Sequence, residues 1–421
     1  MKRPLFYLSA GEPSGDQHAA GLIRELKKRF PDAEFVGFGG PETEKAGCRV
    51  EVDLTQFAVM WFLRALVNIP FFLRCLKKAR EFFRREKPDI LILVDYPGFN
   101  FRLAKYAKAE GIPVCFFVPP QIWAWAQGRI KKMRRYVDFV ISPLPFEQKW
   151  FAAHGVETVA VPHPFFEEMK SRSFDLDFLT RLVGESAADC MKSYPAYEPE
   201  PLPPSPILTI LPGSRSQEIA ANLPEMLRTA GYVREAVPGV RPIIAAFRDE
   251  QVATIRTVLD RENVSIPVYA GHTRELIAAG TCALAVSGSV SIELLALAKP
   301  TVVYYRIGRF EHWLSRFFRR VRFISLVNLL AADATEGESI FYKTRRAPAL
   351  PTQKDWNLML FPEFLTGRDR SKEASLPLTT WLTDPAELSA RRSALARLFA
   401  RVSAGESSFK LAADAIAERL E

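Results

Sequence analysis

The first half of the chain alternates short apolar runs with helix-like stretches. Leu5–Ala10 reads as a strand, Gln17–Phe30 as a helix and Glu34–Phe38 as a second strand. Ile90–Val94 is continuously apolar, as expected of a strand buried on both faces of a parallel sheet. A helix around Phe101–Glu110 follows, then strands in "IPVCFFV", "DFVISP" and "TVAVP". This is a βαβ pattern, so the spacing predicts an α/β fold with helices on both faces of a parallel sheet.

The pattern stops at Ser186–Pro206, where "YPAYEPEPLPPSP" is too rich in proline for a long helix and reads as a linker. It then restarts. "ILTIL", "PIIAAF", "PVYA", "CALAVSGS" and "PTVVYYR" read as strands, and the chain is helical and basic from about Asp384. Two copies of one doubly wound architecture are expected, facing each other across a cleft. Residues 1–185 form the first domain, 207–370 the second, and 371–421 are helices packing back across both.

The 421 residues suffice for two such domains. A net charge of +9 suits nucleic acid, an anionic membrane surface or phosphorylated substrates. The five cysteines never fall at CxxC spacing, which argues against a zinc site or a disulfide framework and for a reducing compartment. No signal peptide is read at the start. The apolar stretch Phe57–Leu76 is interrupted by Arg64, Asn68, Pro70 and Arg74. A membrane span needs about 20 clean apolar residues, so this one reads as a buried helix or a membrane-dipping surface. The basic flank "CLKKAREFFRREK" favours an interfacial element.

Ligands of open parallel sheets bind at the carboxyl ends of strands. Three loops of small residues fall there: Gly11–Asp16, Gly213–Glu218 and Ser287–Glu293. In "LPGSR", Gly213 permits a tight turn, Ser214 and the helix start offer amides to an anion, and Arg215 adds a contact to phosphate. In "SGSVSIE", Ser287, Gly288 and Ser289 precede a helix fit to receive a diphosphate. Glu293, one turn on, is placed to accept hydrogen bonds from a ribose diol. Neither loop is GxGxxG or Walker A, so a dinucleotide or NTPase site is not expected. Asp95 ends a buried strand, where it reads either as a general base at the mouth of a cleft or as a turn aspartate capping the next helix. Trp123 and Trp125 are either packed or available to stack on sugars. Asp175 and Asp177 in "FDLDF" read as helix-start acids rather than a metal-binding DxD. His163 reads as a structural hydrogen-bonder.

Together "AGEPSGD", "KPDILILVDYPGFN", "VPPQIWAWAQGRI", "LPFE", "HP", "LPGSR", "SGS…ELL" and "SLVNLLA" resemble the lipid-A-disaccharide synthases, in order and over about three quarters of the chain. That family implies an inverting, metal-independent glycosyltransferase of GT-B fold, without a cofactor. It implies transfer from UDP-2,3-diacylglucosamine to 2,3-diacylglucosamine 1-phosphate, giving a β(1→6) disaccharide and UDP. Arg215 with Gly213 and Ser214 would then face phosphate, Ser287–Ser289 the diphosphate region and Glu293 the ribose, while Asn328 matches a functionally sensitive position. Asp95 matches the best candidate for the catalytic aspartate; Asn100 and Trp123 are carried with their motifs as substrate-binding residues. In the first loop, Gly11 and Gly15 allow close backbone approach and Ser14 would meet the acceptor's head or phosphate. Glu12 and Asp16 would bond sugar hydroxyls or order the loop. The resemblance places the protein in the cytoplasm, on the inner leaflet, as a monomer or homodimer without nucleic acid.

The chain departs from the family pattern at Trp61 and Arg64, where a glycine and an acid are usual, and in "SGS", "SLVN" and "VPHP". A second basic-aromatic stretch, Phe310–Phe323, reads as either an anionic lipid surface or an ordinary amphipathic helix. Rival readings are a UDP-sugar epimerase or hydrolase of the same fold, and a non-catalytic membrane lipid-binding protein. Nucleic-acid binding lacks any recognisable motif.

Overall fold

The computed structural model describes residues 3–57, 69–171, 173–184, 205–342 and 346–420. Most of the expected linker lies outside them, as does most of the Phe57–Leu76 segment with Trp61 and Arg64. The chain divides into two compact units, Met1–Glu167 with Ala404–Glu421, and Glu168–Ser403.

The first unit holds seven parallel strands: β1 (Leu5–Ala10), β2 (Glu34–Gly39), β3 (Arg49–Asp53), β4 (Ile90–Val94), β5 (Val114–Phe117), β6 (Phe139–Ser142) and β7 (Glu157–Ala160). Their order is β3-β2-β1-β4-β5-β6-β7. Every residue of β4 is buried, because helices cover both faces of the sheet and leave no polar side for alternation. The strand order reverses between β1 and β4, where Ala10 lies opposite Val94.

The second unit holds β8 (Ile207–Leu211), β9 (Arg241–Ala246), β10 (Val268–Ala270), β11 (Cys282–Ala285), β12 (Thr301–Arg306) and β13 (Glu363–Thr366). All are parallel, in the order β10-β9-β8-β11-β12-β13, with Leu211 opposite Ala285 where the order reverses. Both sheets are doubly wound, as expected.

The boundary expected at residue 185 falls instead at 167/168. Helix Leu176–Val183 joins the second unit: the Asp175 backbone N–H donates to the Glu275 carboxylate at 3.0 Å, and Phe178 stacks on His272 at 3.9 Å. The expected C-terminal block 371–421 also divides. Helices Ser371–Thr383 and Pro385–Val402 stay with the second unit, and Ser408–Ala417 returns to the first. There the Phe409 ring packs on the bare backbone of Gly21, where a Cβ would stand 2.4 Å from it, and Glu167 accepts from the hydroxyls of Ser407 and Ser408. Among the described residues no helix is long and apolar enough to cross a membrane.

Candidate active site

The loops nominated from sequence stand at the two points where strand order reverses. In an open α/β sheet the loops diverge there to opposite faces and leave a crevice. In the first unit that point joins Gly11–Asp16, after β1, to Asp95, after β4.

Asp95 and Tyr96 both take left-handed backbone, at φ 45° and 48°, which aspartate tolerates better than most residues and a bulky tyrosine does not accept without support. Asn100 supplies it. The buried Asn100 amide donates to the carbonyls of Asp95 (2.7 Å), Val94 (3.2 Å) and Ser9 (3.3 Å), and its oxygen accepts from the Ser9 hydroxyl at 2.7 Å. The Tyr96 ring covers Gly11, where a Cβ would stand 2.4 Å from it. No other residue type fits at position 11 with that ring in place. Burial, then repulsion from the Glu12 carboxylate, pushes the Asp95 carboxyl up to about 6; the Tyr96 backbone N–H and His18 oppose the rise. A carboxyl poised there is mostly ionised at neutral pH yet more basic than an ordinary carboxylate, and so suited to accept a proton.

Three nominated side chains of this unit have their polar atoms committed within the protein. Asp16 accepts from the backbone N–H groups of Gly40 (2.8 Å), Glu42 (2.9 Å) and Thr43 (3.0 Å), so it orders the loop after β2 rather than bonding sugar. Asn100 acts through Asp95, as above. Trp123 is 0% exposed, and its indole donates to Glu147 at 2.7 Å, so no ring face is left for stacking; Trp125, 72% exposed, is the open member of the pair. Ser14 is exposed at the start of helix Pro13–Arg29, and Glu12 and Gly15 lie beside the Asp95 site.

Glu147 closes the "LPFE" motif, but the sequence assigns it no role. It accepts from Trp123 and from the Ser142 hydroxyl, and burial pushes its carboxyl up to about 8. In the chain it looks like an ordinary acid in the first turn of helix Pro145–Ala153; its partner is 24 positions away. His163 is pushed down to about 3 by burial, and its Nδ1 accepts from the Phe165 N–H at 3.2 Å, the structural role expected of it. Asp175 caps helix Leu176–Val183 by accepting from the Phe178 N–H at 2.9 Å.

In the second unit the crevice joins Gly213–Arg215, after β8, to Ser287–Ser289, after β11. Gly213 has φ 119°, and a Cβ there would stand 2.3 Å from the Glu218 carboxylate. That carboxylate accepts from the Ser214 N–H at 3.1 Å, and Gln251 donates to the Ser214 carbonyl at 2.6 Å. The loop is thus fixed from below while Ser214 and Arg215 are exposed at the start of the long helix Ser216–Ala236. A cationic side chain at a helix N-terminus is a site for an anion.

Ser287 donates to the Ile324 carbonyl at 2.8 Å, while Gly288 and Ser289 are exposed and nothing lies within 4 Å of a Cβ added at Gly288. Glu293 is half-buried on the helix that follows. Asn328 is buried and does not reach ligand space. It donates to the Phe361 carbonyl (2.6 Å) and Glu363 (2.8 Å), and accepts from the N–H groups of Leu360 and Phe361 (both 2.9 Å). Glu363 in turn accepts from the N–H groups of Ile324 and Ser325, so Asn328 steadies the segment on which Ser287 rests. Asn328→Ala is expected to cost about 2–4 kcal/mol, since it leaves several buried polar groups unpaired. Urea unfolding would measure this.

Among the described residues no group of three His, Cys, Asp or Glu side chains is arranged to hold a metal ion.

The family described as lipid-A-disaccharide synthetase matches residues 6–348. A lipid-A-disaccharide synthase of Myxococcus xanthus is 34% identical over 328 residues, 78% of this chain and 81% of its own. Among solved structures, UDP-GlcNAc 2-epimerase from Neisseria meningitidis, bound to UDP-GlcNAc, superposes with a TM-score of 0.55 at 12% identity, covering 100% of this chain and 99% of its own. The calicheamicin glycosyltransferase CalG4 superposes with a TM-score of 0.50 at 15% identity, covering 100% and 99%. At such identities the two structures speak for the fold, that of GT-B glycosyltransferases and related epimerases.

Proposed function

The chain belongs to the lipid-A-disaccharide synthase family of glycosyltransferases, and on that premise we propose how its two crevices divide the reaction. The second unit holds UDP-2,3-diacylglucosamine, with Arg215 and the Gly213–Ser214 amides on the diphosphate, Ser287–Ser289 beside it and Glu293 on the ribose. The first unit holds 2,3-diacylglucosamine 1-phosphate against Gly11, Glu12, Ser14 and Gly15. Asp95 accepts the proton of the acceptor 6-hydroxyl as its oxygen attacks the anomeric carbon. The bond from that carbon to the UDP oxygen breaks, and UDP leaves with the electron pair. One displacement on an α-linked donor gives the β product. Arg215 offsets the charge that develops on the leaving diphosphate.

The observation that carries the reading is Asp95. It is held in left-handed backbone by a buried clamp, stands at the reversal point of its sheet, and has a carboxyl raised to about 6. A raised carboxyl at such a point is what a general base needs. Both substrates carry acyl chains, so the protein works at a membrane surface on the cytoplasmic side.

Purified protein incubated with both acylated substrates and EDTA is expected to release UDP and a tetraacyl disaccharide 1-phosphate, seen by mass spectrometry. UDP without disaccharide would instead identify a hydrolase. Loss of product on adding EDTA would overturn metal independence.

A further inference from the structure

Helix Arg309–Phe318 is amphipathic in the reverse of the usual sense. Phe310, Trp313, Leu314, Phe317 and Phe318 recur at the spacing of one helical face. In a globular protein that face meets the core. Here Phe310 is 68% exposed, Phe318 57% and Trp313 48%, and no residue of the helix is buried. The helix is held by its polar side. Arg316 donates to the Ala347 carbonyl at 2.9 Å, Arg319 to that of Pro348 at 3.1 Å, and His312 lies against Gly367. The aromatic side is therefore left largely to solvent, with Phe310 and Phe318 more than half exposed. It forms a ridge, with Phe310 stacked on Trp313 at 5.8 Å and Trp313 edge-on to Phe317 at 5.1 Å.

The ridge has a cationic rim. Arg346 lies over the Phe317 ring at 4.8 Å, and Arg309 and Arg320 stand at the two ends of the helix, apart from the Arg316 and Arg319 side chains that hold it by its polar side. The one acid on the helix, Glu311, accepts from the Gly308 N–H at 3.0 Å. Two such faces brought together would oppose arginine to arginine, which disfavours a second copy of this chain as the partner. Aromatic anchors ringed by arginines match the boundary between acyl chains and anionic headgroups.

We propose that this helix anchors the second unit to an anionic phospholipid bilayer, the ridge entering the acyl boundary and the arginines meeting phosphates. The idea rests on the reading of acylated substrates at a membrane surface and gives it a location. The helix starts three residues after β12 ends, on the same sheet edge as the Gly213 and Ser287 loops. Anchoring there brings the donor-binding edge to the bilayer.

The test uses the full chain with Phe310, Trp313 and Phe317 all changed to serine. Vesicles of phosphatidylcholine alone, or mixed with phosphatidylglycerol, serve as the probe in cosedimentation. Wild type is expected to prefer the mixed vesicles, and the triple variant to lose about tenfold or more in partitioning, since three large apolar side chains leave the interface. UDP affinity and Tm should stay unchanged, because these residues are exposed and belong to neither loop. Partitioning of the variant equal to wild type overturns the proposal, as does equal binding of wild type to both vesicle types. Conversion of a wild-type dimer to a monomer with vesicle binding intact would assign the ridge to a second copy instead. Transfer between detergent-dispersed substrates, measured in parallel, tests the enzymatic reading separately: its failure there leaves the vesicle result standing or falling on its own.

Discussion

Asp95→Asn is expected to lower kcat by about a hundred- to ten-thousand-fold and, at neutral pH, to make the protein more stable. The two effects share a cause. Burial and Glu12 raise the carboxyl from 3.8 to about 6, so the folded state binds the proton more tightly than the unfolded chain does. Between those two values stability falls as pH rises, and above about 6 the ionised group carries the full cost. Asparagine removes that charge and tolerates left-handed backbone well, a gain on the order of 1–3 kcal/mol. Thermal melts should show the variant several degrees above wild type at neutral pH, with the gap closing towards pH 4. The wild-type rate should fall as pH drops through about 6, where the base becomes protonated. A variant that loses both activity and stability would mark Asp95 as a structural residue.

The second large effect concerns Arg215. Arg215→Ala is expected to weaken UDP binding about 10- to 100-fold, as removal of a charge-assisted contact to phosphate does. Titration calorimetry would read this directly. Arg215→Lys should recover only part, because an ammonium replaces a planar fork. Stability should change by less than about 0.5 kcal/mol, since the side chain is exposed at the helix start. If UDP binds the alanine variant as tightly as wild type, the diphosphate does not sit on this loop.

The buried strands were legible because a sheet covered on both faces needs uninterrupted apolar runs, as in Ile90–Val94. β3 and β13 escaped for opposite reasons. β3 is an edge strand whose Arg49, Glu51 and Asp53 read as polar chain, and β13 begins with the buried carboxylate of Glu363. The three loops could be nominated because glycine, serine and an arginine or an acid fall where strands end. That Asp95 adjoins the Gly11 loop could not be read off, since it depends on β1 pairing with β4. The same limit hid the commitments of Asn100, Trp123 and Asn328. Each was noticed through its motif, yet its role is set by partners far along the chain: Ser9 for Asn100, Glu147 for Trp123, Phe361 and Glu363 for Asn328. A buried polar side chain and a ligand-binding one look alike until their partners are located.

The return of helix Ser408–Ala417 to the first unit bears on the birth of the protein. Leu22, Cys115 and Phe117 belong to the core that Phe409, Ala412 and Ile416 complete. A ribosome delivers the seven strands of that sheet first and this helix last, with the whole second unit made in between. The nascent first unit must therefore wait with an apolar face uncovered through the synthesis of more than half the chain, a period in which chaperones would have an obvious client.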